Sequence, residues 1–232
     1  MPTPGRAISL TARTLAAAID HTVLAPDHTV ADVERACEDA VGYGFAAVCV
    51  APYDIARVAA RLAGTNVAAG GAVGIPLGHS GLRAKQREAR TCVDAGAGEV
   101  DMVLNLIALK SGQWSDVRQE IEAVRETTAG RILKVILECC YLTPDEIVGA
   151  CEACVDAGAD FVKTSTGFGK GGATAEDVAL MKRTVGDRAQ VKAAGGIRTF
   201  AQVRAMMDAG ATRIGTSAGP AIVLDFARLK GN

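Results

Sequence analysis

The chain reads as an α/β protein, a (β/α)8 TIM barrel of eight parallel strands. Three observations lead there. Short apolar, β-branched runs alternate with longer amphipathic stretches through most of the 232 residues. The alternation repeats about every 25–30 residues, which yields eight strand–helix units, a usual complement for a closed barrel. The tetrapeptide Asp-Ala-Gly-Ala occurs at 94–97, 156–159 and 208–211, each time closing a helical pattern ahead of a strand, where glycine suits a left-handed cap. Residues 1–232 are therefore read as a single barrel domain with a short N-terminal helix before strand 1. An open doubly wound sheet competes, but no G-x-G-x-x-G turn follows the first strand.

Taken in order, residues 1–7 read as a frayed arm and Leu10 to Ala18 as a short helix. Ile19 to Leu24 is the first strand, broken by Pro26. A helix over about 29–42 precedes the strand Phe45 to Val50, and one over about 53–63 precedes Asn66 to Ile75. A helix over about 80–95 leads to Glu99–Leu104, and one over about 114–128 to Ile132–Leu137. The next opens at Thr143-Pro144, with Asp145 and Glu146 in its first turn, and leads to Phe161–Ser165. Helices from about 174 and about 199 precede Gln190–Ala194 and Arg213–Thr216, and a last helix begins near Gly219.

Bulk properties remove several classes of function. A net charge of −1 gives no reason to expect a nucleic-acid or membrane-surface partner. The longest weakly polar run, Val67 to Gly78, is too short and too glycine-rich to span a membrane, and no basic region followed by an apolar core marks a signal peptide. Seven cysteines, an odd number at irregular spacing, favour reduced thiols and a cytoplasmic location. Cys151-x-x-Cys154 invites a zinc or redox reading, but it lies in a helical pattern without a second ligand pair. No metal and no cofactor is expected. Barrels of this kind often pair, so a homodimer is the assembly allowed for, with no interface legible in the sequence.

The chemistry centres on Phe161-Val-Lys-Thr-Ser-Thr-Gly167. A lysine in a buried strand carries a charge that is costly there, and the usual response is a lowered pKa. The neutral amine is a nucleophile for carbonyl carbon, which makes Lys163 a Schiff-base candidate. A lysine paired with a carboxylate inside a barrel is the other reading. Counting five residues on from Gly44, Gly96, Gly158 and Gly210 reaches Cys49, Asp101, Lys163 and Gly215, on strands 2, 4, 6 and 8. Alternate strands supply one interior layer, so these four should share a level, with Gly215 leaving space. Lys134, Lys163 and Lys192 are also spaced 29 and 29 residues apart on strands 5, 6 and 7. A second ammonium near Lys163 would depress its pKa further, while Asp101 would offset part of that charge and move protons.

Phosphate in such barrels often binds the loops after strands 7 and 8. Here these read Ala194-Gly-Gly-Ile-Arg198 and Gly215-Thr-Ser-Ala-Gly219, both glycine-rich, the second running into a helix N-terminus. Thr166-Gly-Phe-Gly-Lys-Gly-Gly172, after strand 6, is flexible, and Lys170 in it reads as solvated.

The motifs Ile19-Asp-His-Thr-Val-Leu24, Val48-Cys-Val-Ala-Pro52, Glu99-Val-Asp-Met-Val103, Leu133-Lys-Val-Ile-Leu-Glu138, Val162-Lys-Thr-Ser-Thr-Gly167, Val191-Lys-Ala-Ala-Gly-Gly-Ile-Arg-Thr199 and Arg213-Ile-Gly-Thr-Ser217 resemble the deoxyribose-phosphate aldolase family, in family order. The resemblance implies a metal-independent lyase that cleaves 2-deoxy-D-ribose 5-phosphate reversibly to D-glyceraldehyde 3-phosphate and acetaldehyde, in deoxyribose phosphate catabolism. It implies Lys163 as the imine-forming residue, with Lys192 and Asp101 completing the catalytic set. It further implies Asp20, Thr22 and Thr166 near the sugar hydroxyls or a bound water, Gly195, Gly196 and Ser217 at the phosphate end, and Cys49 beside the site, with Gly167 and Gly215 also counted among the substrate-binding residues. Some members end in a tyrosine that enters the site, whereas this chain ends Leu229-Lys-Gly-Asn232. Some carry a lysine where this chain has Phe168. Cys139-Cys140 stands where a threonine would precede the cysteine; bonding between such neighbours is strained. Two other readings remain: another Schiff-base barrel aldolase, for which Arg198 could hold a keto-acid carboxylate, and a non-catalytic sugar-phosphate-binding barrel.

Overall fold

The computed structural model describes residues 10–230, so the expected arm at 1–7 and the terminal Gly231 and Asn232 lie outside the described residues. Eight parallel strands close on themselves in sequence order: β1 (Ile19–Val23), β2 (Ala47–Val50), β3 (Ala68–Val73), β4 (Glu99–Val103), β5 (Ile132–Ile136), β6 (Phe161–Lys163), β7 (Gln190–Ala194) and β8 (Arg213–Thr216). Closure is made by β1 pairing with β8, with Asp20 opposite Gly215. The barrel predicted from the alternation is present.

The helices sit where the capping signals put them. Thr29, Thr143 and Thr199 each accept a bond from the backbone three residues on, and Asp32, Glu146 and Gln202 return it, forming capping boxes at α2 (Val30–Tyr43), α7 (Pro144–Asp156) and α9 (Phe200–Asp208). At the first Asp-Ala-Gly-Ala, Gly96 takes φ 100° and the Ala97 N–H bonds back to Cys92 carbonyl oxygen at 2.9 Å. That closure ends the helix within one residue and launches β4 directly. The other two copies use Gly158 and Gly210 in the same left-handed form.

Some boundaries differ from expectation. The first helix is only α1 (Ala12–Ala16), preceded by a Thr11–Thr14 capping box. The helix expected over 53–63 opens as a 3-10 turn at Pro52–Asp54 before α3 (Ile55–Leu62). β3 and β6 are shorter than their apolar runs; beyond Lys163 the Thr164 hydroxyl takes over from the backbone, accepting from the Ala194 N–H and donating to the Ala194 carbonyl, both at 3.0 Å. A five-residue helix, α5 (Leu106–Lys110), capped by the Asn105 side chain, was not predicted. One turn is too short to show a hydrophobic period.

Outward-facing strand residues such as Leu133, Val135, Val191 and Ala193 are wholly buried under the helices. The packing is tight enough at one strand to demand glycine. A Cβ added to Gly71 would lie 2.7 Å from Cys92 Sγ, on α4 (Leu82–Asp94). Gly71→Ala is therefore expected to destabilise the barrel by about 1–3 kcal/mol, the usual cost of overpacking, read as a lowered urea midpoint with an unchanged slope.

Candidate active site

The barrel interior is charged rather than apolar. Period-two alternation aims Glu99 and Asp101 of β4 inward together, and does the same for Arg213 and Gly215 of β8. Lys163 Nζ donates to Asp101 Oδ2 at 2.7 Å, and Lys192 Nζ donates to the same oxygen at 2.7 Å. Lys134 Nζ donates to the other oxygen, Oδ1, at 2.8 Å. Beneath them Lys192 reaches Asp20 at 2.5 Å, Lys134 reaches Glu99 at 2.5 Å, and Arg213 bridges Asp20 and Glu99 at 2.5 and 3.2 Å. All three lysines are at most 3% exposed.

These contacts set the protonation states. Burial alone would raise the Asp101 pKa, but Lys134, Lys163 and Lys192 overcome it and hold the carboxyl well below its ordinary range. Asp20 is lowered in the same way by Lys134, Lys192 and Arg213. Among the lysines the balance splits. Lys134 touches three carboxylates and Lys192 two, and for both the anions outweigh burial and raise the pKa. Lys163 touches one, Asp101; burial dominates, Lys192 adds repulsion, and its pKa falls below the ordinary value. Lys163 has one ion-pair partner where Lys134, Lys192 and Arg213 each have two or more, so it is the least compensated of these cations.

The lysine spacing needs one correction. Lys163 pairs in register with Lys192, but Lys134 pairs with Phe161, two residues lower on β6. Lys134 thus sits deeper in the barrel and reaches Glu99. The even-strand layer is as expected. Cys49, wholly buried, feels Asp101, Lys192 and Lys163, and burial raises its thiol pKa. A Cβ on Gly215 would lie 3.0 Å from Lys192 Cε, so the missing side chain is what lets Lys192 pass.

Above this layer, at the C-terminal ends of the strands, opens a cavity of about 710 Å³. Thr22, Lys163, Thr166, Gly167, Gly195, Gly196, Gly215 and Ser217 line it. Asp20, Cys49, Asp101 and Lys192 lie below its floor rather than on its wall. For Asp20, expected beside the substrate, the reason is the pull of Lys192 and Arg213; Thr22, two residues on, reaches the cavity instead. Gly195 and Gly196 take φ 91° and 78°, conformations that favour glycine. The final helix, α10 (Gly219–Lys230), starts between two cavity residues, Ser217 and Pro220. Phe168 and Arg198 also line the cavity, while Lys170 Nζ lies 5.0 Å from the centre of the Tyr141 ring.

Three supporting residues were not singled out from the sequence. Glu99 and Arg213 stand two positions before Asp101 and Gly215, so strand alternation alone could have placed them inside. Glu138 carried no such signal. Its carboxylate reaches the loop after β6, accepting from the Thr166 backbone N–H at 3.1 Å and from the Thr166 hydroxyl.

The chain is similar to known proteins over nearly its whole length. It matches the family described as DeoC/LacD family aldolase over residues 14–225. It is 52% identical to a deoxyribose-phosphate aldolase of Mannheimia succiniciproducens over 90% of this chain and 93% of that protein. It is 51% identical to one of Brevibacillus brevis over 88% of this chain and 93% of the relative. Among solved structures, the tetrameric deoxyribose phosphate aldolase of Aeropyrum pernix superposes with a TM-score of 0.89 at 31% identity, over 94% of this chain and 93% of that one. With its motifs in order, its barrel closed and its lysines gathered on one carboxylate, the chain belongs to the DeoC/LacD family of aldolases.

Proposed function

We propose that this protein is a deoxyribose-phosphate aldolase, cleaving 2-deoxy-D-ribose 5-phosphate reversibly to acetaldehyde and D-glyceraldehyde 3-phosphate through an imine on Lys163. The observation that carries the reading is Lys163 itself. It is a buried amine with a lowered pKa that lines the cavity and lies 2.7 Å from a carboxylate shared with a second lysine.

The neutral Lys163 Nζ attacks the aldehyde carbon C1, and the nitrogen proton passes to Asp101 Oδ2, its hydrogen-bond partner. The carbinolamine hydroxyl takes that proton back from Asp101 and leaves as water, giving a cationic imine. Asp101 then accepts the 3-hydroxyl proton as the C2–C3 bond breaks and its electron pair passes into the imine, leaving a neutral enamine. Glyceraldehyde 3-phosphate leaves with a new C3 aldehyde, and the enamine left on Lys163 is protonated at C2 and hydrolysed to acetaldehyde. Lys192, its ammonium held by Asp20 and Asp101, feeds protons to the oxygen that Lys163 uses.

The cavity suits the substrate's two ends. The glycine backbone at Gly195 and Gly196 and the start of α10 beside Ser217 would suit an anion, in a cavity also lined by Arg35 and Arg198 together with Asp27, Asp32 and Asp39. The phosphate is assigned to these glycine loops and the sugar hydroxyls to Thr22 and Thr166, which line the cavity together with Lys163. We infer a role in deoxyribose phosphate catabolism, and a cytoplasmic location supported by seven unpaired cysteines. Among the described residues no helix is long and apolar enough to cross a membrane.

Borohydride reduction in the presence of acetaldehyde or deoxyribose 5-phosphate should fix an adduct on Lys163, located by peptide mass spectrometry. A folded protein that yields no adduct with either compound would instead be a non-catalytic phosphate-binding barrel. Lys163→Ala should lose cleavage by at least about 10³-fold with the fold retained by circular dichroism. Lys192→Leu should lose about 10²-fold at neutral pH and move the pH profile of adduct formation upward, since one source of repulsion on Lys163 is gone. The half-rise should stay below the ordinary lysine value of 10.5, because burial is the larger cause of the shift. Full activity of Lys192→Leu at neutral pH would refute this account of lysine activation.

A further inference from the structure

Glu138 occupies a backbone conformation that glycine would adopt freely. Its φ of 55° and ψ of 58° are left-handed, and among the described residues no other non-glycine residue has positive φ. A carboxylate placed at such a turn, 1% exposed, calls for a reason in its contacts. Glu138 Oε1 and Oε2 accept from the Thr166 N–H at 3.1 and 3.3 Å, and Oε2 also accepts from the Thr166 hydroxyl. Thr166 Oγ1 in turn accepts from the Phe168 N–H at 3.0 Å. The hydroxyl hydrogen is therefore committed to Glu138 and one lone pair to Phe168, which leaves the second lone pair for the cavity that Thr166 lines.

The rest of the same loop is wedged in place. A Cβ on Gly169 would lie 3.1 Å from Glu138 Oε1 and 3.0 Å from Cys140 Sγ, and one on Gly171 would lie 3.0 Å from Cys140 Cβ. On its far side Gly172 packs on the Gly195 backbone, and the Ala173 N–H donates to the Gly195 carbonyl at 3.0 Å. The loop after β6 thus spans from the Glu138 turn to the glycines of the proposed phosphate end.

We propose that Glu138 is a positioning residue for substrate. It holds the loop after β6 in its gripping form and presents the Thr166 hydroxyl to the cavity as a hydrogen-bond acceptor for a sugar hydroxyl. This rests on the aldolase reading above.

The test compares unmodified protein, Glu138→Ala and Glu138→Gln, each with and without Thr166→Val. It reads kcat and KM for deoxyribose 5-phosphate and, separately, acetaldehyde adduct formation on Lys163. Acetaldehyde has only two carbons and reaches the lysine without spanning to the loop. Glu138→Ala should raise KM for the phosphorylated sugar about tenfold or more, the scale of a lost charged hydrogen bond. Its acetaldehyde trapping should not fall by more than about twofold, since the Lys163–Asp101 contact remains and loss of the Glu138 charge removes one influence favouring the protonated lysine. Glu138→Gln keeps an oxygen for the Thr166 N–H and should raise KM by less, with an unchanged melting temperature. In the Thr166→Val background the Glu138→Gln effect on KM should disappear, because the hydroxyl through which it acts is absent.

An unchanged KM in Glu138→Ala would overturn the proposal. So would a parallel fall of kcat and of acetaldehyde trapping, which would mark a general packing role. If Glu138→Ala does not fold, Glu138→Gln decides: an equal KM effect with and without Thr166→Val overturns the route through Thr166. Absence of trapping in the unmodified protein would instead overturn the aldolase reading, and this proposal with it.

Discussion

The carboxylate of Asp101 holds three lysines at once, and the interior of the barrel is arranged around that fact. A single buried charge among apolar side chains would be expelled or neutralised; a network of opposite charges can be kept. Here the network extends downward through Lys134, Glu99, Arg213 and Asp20, each cation meeting at least one carboxylate. It ends upward at Lys163, the cation with the fewest partners. This unequal sharing leaves Lys163 with a lowered pKa while those of Lys134 and Lys192 are raised.

Backbone geometry serves the same end. Parallel strands in register place Lys163 beside Lys192, while the offset of β5 drops Lys134 a step toward the barrel floor. Gly215 removes the side chain that would block Lys192. The Asp-Ala-Gly-Ala caps end three helices abruptly, so the strands that follow enter at a matched height. Matched entry is why counting from the cap glycines finds residues of one layer. The clustered lysines sit on strands, whereas the residues that would hold substrate sit on the loops above, so in the proposed reaction chemistry and recognition are supported by separate parts of the fold.

Much of the fold was legible because its signals are local. Threonine caps with a carboxylate or amide three residues later mark helix starts, and most strands are short, largely apolar runs. The short α5 and the 3-10 opening before α3 escaped, since a single turn carries no period. In the site, Lys163, Lys192 and Asp101 could be picked out as polar interruptions of buried runs. Glu99 and Arg213 could have been found by stepping back two residues along their strands.

By itself, the sequence determined the architecture, the level at which Asp101 and Lys163 meet, and the glycine-rich loops at the far end of the cavity. Each of these follows from periodicity or from spacing to a cap, quantities that short stretches of chain contain. Tertiary structure alone decided which cation is left short of a carboxylate, that Asp20 serves Lys192 and Arg213 from beneath the cavity, and that Glu138 reaches across to Thr166. Those outcomes depend on distances between residues from 28 to 193 positions apart. Burial and Coulomb energy are sums over such neighbours, and only closure of the barrel brings them together.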